Sequence, residues 1–129
     1  MKKLLLLLLF SPAVTYAQSD WESIGFSGRD SEYFIREVSV DDIGGISFWV
    51  KNVSNTLDRK TGMKTPGKYS VSKWEGDCKA KTIITKIMVM YNKKGKIRNS
   101  STGPFQEAPV IPDTMGEKAL NAACTKIYN

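Results

Sequence analysis

Three residue groups in this chain have side chains that invite a chemical reading: the adjacent carboxylates Asp41 and Asp42, the cysteines Cys78 and Cys124, and a cluster of cations at Lys93, Lys94, Lys96 and Arg98. Adjacent carboxylates can exchange a proton with substrate or hold Ca²⁺. Here they precede Ile43-Gly44-Gly45, and in such a sequence aspartates bond their own backbone and set a turn. The chain has no histidine, which removes the commonest general base and metal ligand. It carries no glycine-rich phosphate loop, no nucleophile elbow and no paired metal-ligand spacing. The residues thus define no catalytic set, no metal site and no cofactor site, and the expected protein is not an enzyme.

Binding chemistry is better represented. Lys93, Lys94, Lys96 and Arg98 surround the turn Asn92-Lys93-Lys94-Gly95, where side chains project with little burial, and Tyr91 beside them offers stacking or a cation-π contact. A second basic group, Arg59, Lys60, Lys64 and Lys68, lies in a segment without periodicity. Charge follows the same division: Gln18 to Val50 holds two basic and seven acidic residues, Lys51 to Arg98 thirteen and three, and the remainder two and three. A basic middle block favours acidic partners such as glycosaminoglycans, anionic lipid head groups or acidic protein patches. Nucleic acid is not among the expected partners, because exposed recognition of that kind needs several aromatic rings on one basic face, and only Tyr69 and Tyr91 in this block qualify.

These residues must be positioned by a fold, and the first seventeen residues are expected to take no part in it. Lys2 and Lys3, the apolar run Leu4 to Phe10, Pro12 and the small-residue site Thr15-Tyr16-Ala17 read as a cleaved secretory signal. The run is far shorter than the roughly 20 residues a spanning helix needs. Residues 18–129 are then one exported domain with no integral membrane segment. In an exported chain, two cysteines favour a disulfide over a metal site. Closing Cys78 to Cys124 would contribute about 4 kcal/mol in the chain-entropy treatment.

Six strand-like stretches follow in order: Trp21–Phe26, a run through Tyr33-Phe34-Ile35 to about Val38, Ile46–Val53, Tyr69–Asp77, Lys81–Tyr91 and Lys96 to about Ser101. Trp49 shares a face with Ser47 and Lys51 and is expected to be packed, by a loop or a second copy. Lys81–Tyr91 is apolar on both faces, as a central strand would be. The longest loop is expected from Ser54 to Gly67. Gly103 to Pro112, with three prolines, is expected to lack regular structure. Thr114 to Glu117 fits a capping box, and the helix it starts places Gly116, Ala119, Leu120, Ala123, Cys124 and Ile127 on one stripe. The expected fold class is therefore α+β: a meander-like antiparallel sheet of about six strands with a C-terminal helix packed on it and one disulfide.

Several motifs together resemble the bacterial surface-adhesin protein E family. They are Trp49-Val50-Lys51, Asp77-Cys78, Tyr91 followed by Lys94-Gly95-Lys96, and Val110-Ile111-Pro112 ahead of Gly116-Glu117 and the helix bearing Cys124. The resemblance implies the same sheet and helix, a disulfide between the two matching cysteines, room for a homodimer, and adhesion to host extracellular proteins. The expected function is an exported binding protein at the periplasm or cell surface, contacting a protein or anionic polysaccharide through its basic surface. The alternative is a periplasmic accessory or inhibitor protein with a bacterial or phage partner.

Overall fold

The computed structural model describes residues 20–103 and 105–128; the expected signal peptide lies outside them. Seven strands and one helix follow in order: β1 (Glu22–Ser27), β2 (Ser31–Val40), β3 (Ile46–Leu57), β4 (Lys64–Asp77), β5 (Thr82–Tyr91), β6 (Ile97–Thr102), β7 (Ala108–Pro109) and α1 (Met115–Tyr128). The first six form an antiparallel meander in sequence order, and β7 adds two residues beside β5. The fold class read from the sequence is the one observed.

Period-2 alternation decides which residues meet the helix. Ile46, Phe48 and Val50 of β3 point to one face with Ile35 of β2, and all four are buried. The helix supplies Ala119, Leu120 and Ala123 to the same core. Small residues on its stripe let the backbone lie close to β1, β2 and β3. At Gly76 the approach is tighter still, since a Cβ there would stand 2.6 Å from Leu120 Cδ1. Burying side chains such as Phe48 and Leu120 stabilises the fold by about 2 to 3 kcal/mol each.

Three ties hold the helix in place. Cys78 and Cys124 form the disulfide, with Cα atoms 6.0 Å apart. Lys126 pairs with Glu22 of β1, and the Tyr128 hydroxyl donates to the Gly44 carbonyl at 3.1 Å. The capping box is present with one change of partner. Thr114 Oγ1 accepts from the Glu117 amide at 3.4 Å, while the Glu117 carboxylate accepts from Asp113 N, not from Thr114 N.

Two expectations are corrected. The segment Ser54–Gly67 is not a long loop, because β3 continues to Leu57 and β4 begins at Lys64, with Asn55, Thr56 and Leu57 paired to Pro66, Thr65 and Lys64. Threonines and a register shift at Val53/Asn55 carry the ladder, and Asp58 folds the turn by accepting from Lys60 N and bonding Gly62 and Met63. Within Gly103–Pro112, the pair Ala108–Pro109 joins the sheet; the missing proline N–H costs nothing, since Val110 N donates to Lys81 O at 2.9 Å. As expected of a central strand, β5 has partners on both sides; no helix covers its end, and Met88 and Met90 are exposed there.

Candidate functional site

An antiparallel meander sends alternate turns to the same end of the sheet. The β1–β2, β3–β4 and β5–β6 turns therefore share one end, and the β2–β3 and β4–β5 turns share the other. The two basic groups found in the sequence, Arg59 to Lys68 and Lys93 to Arg98, are brought to one end by this topology. Lys64 Nζ reaches across to donate to the Arg29 carbonyl at 2.6 Å, linking the first two of these turns.

The Lys93–Lys94 turn is well made. Asn92 Oδ1 accepts from Lys94 N and Lys96 N at 2.9 and 3.0 Å, the Asn92 amide donates to Lys96 O, and Gly95 takes a φ of 83°. Its backbone is satisfied, and the side chains of Lys93, Lys94 and Lys96 are exposed. Arg98 and Tyr91 lie beside this tip in a hollow of about 460 Å³, together with Lys68, Tyr69, Asn52 and Met90. Lys93, Lys94 and Lys96 stand outside the hollow. Tyr91 is not free beside the lysines: its ring stacks on Tyr69, with centroids 4.7 Å apart and planes at 13°.

The sheet face opposite the helix holds residues that sequence reading missed as a group. Trp49 is half-buried, as expected, and Lys73 Nζ, not a loop, lies over its ring at 5.0 Å. Arg36 lies 4.4 Å from the centroid of Trp21, and Lys51 lies between Trp21 and Tyr69, at 5.6 and 5.0 Å. Strand register assembles them: Arg36 faces Trp49, Trp49 faces Lys73, and Tyr69 faces Tyr91. The alternation of ring and cation within β3 is visible in the sequence; the cross-strand partners are not.

The opposite end carries the adjacent carboxylates Asp41 and Asp42. Asp41 Oδ1 accepts from Ile43 N and Gly45 N at 3.0 and 2.8 Å, so it builds the turn as expected. A cleft of about 750 Å³ runs beside it, lined by Glu75, Asp77, Lys79, Glu107 and Tyr128 among others. Each of the other three carboxylates is also engaged: Glu75 with Lys86, Glu107 with the Thr82 hydroxyl, and Asp77 with two amides. Hydrogen bonds from the Ala80 and Lys79 amides hold the Asp77 carboxyl below the usual carboxylate range. Among the described residues no set of three or more His, Cys, Asp or Glu is arranged to hold a metal ion, and no helix is long and apolar enough to cross a membrane.

The arrangement gathers Lys and Arg side chains from the β3–β4 and β5–β6 turns at one end, where Asp30 and Asp58 also lie, and sets rings beside cations on the face opposite the helix. Comparison with known proteins gives one match: a family model described as surface-adhesin protein E covers residues 21–125. No curated protein and no solved structure matches the chain.

Proposed function

The chain belongs to the surface-adhesin protein E family, and on that premise we propose an exported, non-enzymatic binding protein that contacts an acidic protein or polymer through its basic end. In this reading residues 1–17 are removed on export and residues 18–129 form the working domain. Lys93, Lys94, Lys96 and Arg98 make the contact, with Tyr91 beside them. The observation that carries the proposal is the convergence of separate basic segments on one end of the sheet. Clustered like charges raise the local potential and steer acidic ligands, an effect weakened by salt.

The quadruple variant K93E/K94E/K96E/R98E tests it. The turn backbone does not depend on these side chains, since Asn92 and Gly95 make its hydrogen bonds, so the variant should melt within about 2 °C of the wild type, a small change for a domain of this size. Its binding to an acidic matrix protein should be lost and its retention on heparin weakened. A folded variant that binds both as before removes the assignment. Protease shaving of intact cells, with a periplasmic control protein, tests location: digestion of this protein alone supports a cell-surface role, and protection equal to the control's rejects it.

A further inference from the structure

From the open face of the sheet we infer a second binding surface, shaped for a linear sulfated polysaccharide; the inference rests on the proposed acidic-ligand function and names the ligand's class. A continuous stripe runs Arg36, Trp21, Lys51, Tyr69, Tyr91, each in ring contact with the next. Trp49 and Lys73 lie alongside, paired with each other. The stripe crosses from β2 to β5, three inter-strand gaps or about 14 Å.

Rings and cations in alternation match a chain of anionic sugars. Sulfate and carboxylate groups reach the cations that rest on Trp21, Tyr69 and Trp49, while the C–H groups of the pyranoses pack on the ring edges between them. The cations are available for this. Among the described residues, neither ion pair involves Arg36, Lys51 or Lys73, and a cation resting on a ring can still bind an anion on its other side. These side chains are also held before any ligand arrives, which lowers the ordering cost of binding.

Other occupants fit less well. A second copy docked face to face about a two-fold axis would set one face bearing Arg36, Lys51 and Lys73 against another bearing the same cations, a like-charge contact. A lipid would need an apolar groove for its acyl chains, and the hollow that meets the stripe at Tyr69 and Tyr91 is also lined by the polar Asn52, Lys68, Arg98 and Asn99. An acidic protein would seek deep pockets for apolar anchors, and Arg36, Trp21 and Lys51 line neither cavity.

The test compares three probes: a size-defined heparin octasaccharide, inorganic polyphosphate as charge without rings, and polyglutamate as an acidic peptide. The variants are Trp49→Ala, the double change Lys51→Gln with Lys73→Gln, and K93E/K94E/K96E/R98E. Wild type should prefer the octasaccharide, and both open-face variants should weaken that binding by roughly tenfold, while Trp49→Ala leaves polyphosphate binding unchanged. If Trp49→Ala fails to fold, the lysine double variant reads the same surface with its rings intact. Octasaccharide binding that ignores the open-face variants but fails in the basic-end variant overturns this inference and leaves the proposed function standing. Polyglutamate bound as tightly as the octasaccharide, with the same dependence on the stripe, overturns it in favour of an acidic protein. Binding of none of the three probes removes both.

Discussion

The two faces of this sheet are built from the same strands, yet they solve different problems. Along β3, Ile46, Phe48 and Val50 alternate with Ser47, Trp49 and Lys51. The first set is buried under the helix, and the second sits half-buried, with no strand or helix of the described residues above it. On the helix face, Phe48 meets Trp74 edge-on, with centroids 5.9 Å apart, inside a core closed by Leu120. On the open face Trp21, Trp49 and Tyr69 each meet a cation, and Tyr91 stacks on Tyr69. The comparison teaches that stability and recognition are separated across one layer of backbone, so a substitution should affect one or the other according to its parity along the strand.

The largest expected effect is on the helix face. Phe48→Ala should cost about 3 to 5 kcal/mol, read as a shift of the denaturant midpoint, while whatever fraction stays folded binds acidic probes normally. A small cost there would break the division between faces. Replacing Cys78 and Cys124 together by alanine should cost up to about 4 kcal/mol, because the bond closes a separation of 46 residues in the unfolded chain. The loss should appear in the unfolding free energy, with the acidic-probe affinity of the folded fraction retained.

Open-face substitutions should reverse that pattern. Lys51→Gln with Lys73→Gln removes three cation-π contacts, Lys51 over Trp21 and Tyr69 and Lys73 over Trp49, worth about 0.5 to 1 kcal/mol each, so its thermal midpoint should fall modestly while binding suffers most. The smallest effect concerns the acidic end. The Asp77 carboxyl is held below the usual range by two amide donors, so its contribution to stability is present above that range and lost as pH falls through and below it. Asp77→Asn retains an acceptor oxygen but cannot titrate. Its melting temperature should therefore drop less than the wild type's between about pH 5 and pH 3; equal drops would remove Asp77 from the account.

The strands, the helix and its stripe were legible because period 2 and period 3.6 are written in neighbouring residues, as in Ile46–Val53 and Gly116–Ile127. The disulfide was legible because the chain has only two cysteines. The β3–β4 hairpin was not, because Asn, Thr, Lys and Pro between Ser54 and Gly67 resemble loop composition, and only pairing with the opposite strand turns them into a ladder. The tip lysines and Arg98 were legible as a basic group, but their union with Lys64 and Lys68 depends on which turns share an end. The open-face stripe was the least visible. Trp21 and Arg36 are 15 positions apart, and Tyr69 meets Tyr91 across 22, so their contacts belong to strand register, which no local pattern encodes.

The three tryptophans provide a direct test of the division between faces. Trp21 and Trp49 lie on the open face, and Trp74 packs under the helix against Phe48. The decisive measurement is a ¹H–¹⁵N NMR titration of the folded domain with the heparin octasaccharide, following the three indole N–H signals. The account predicts that the Trp21 and Trp49 signals move with saturating curves while that of Trp74 stays in place. Movement of Trp74 alone, or of all three together, would contradict it.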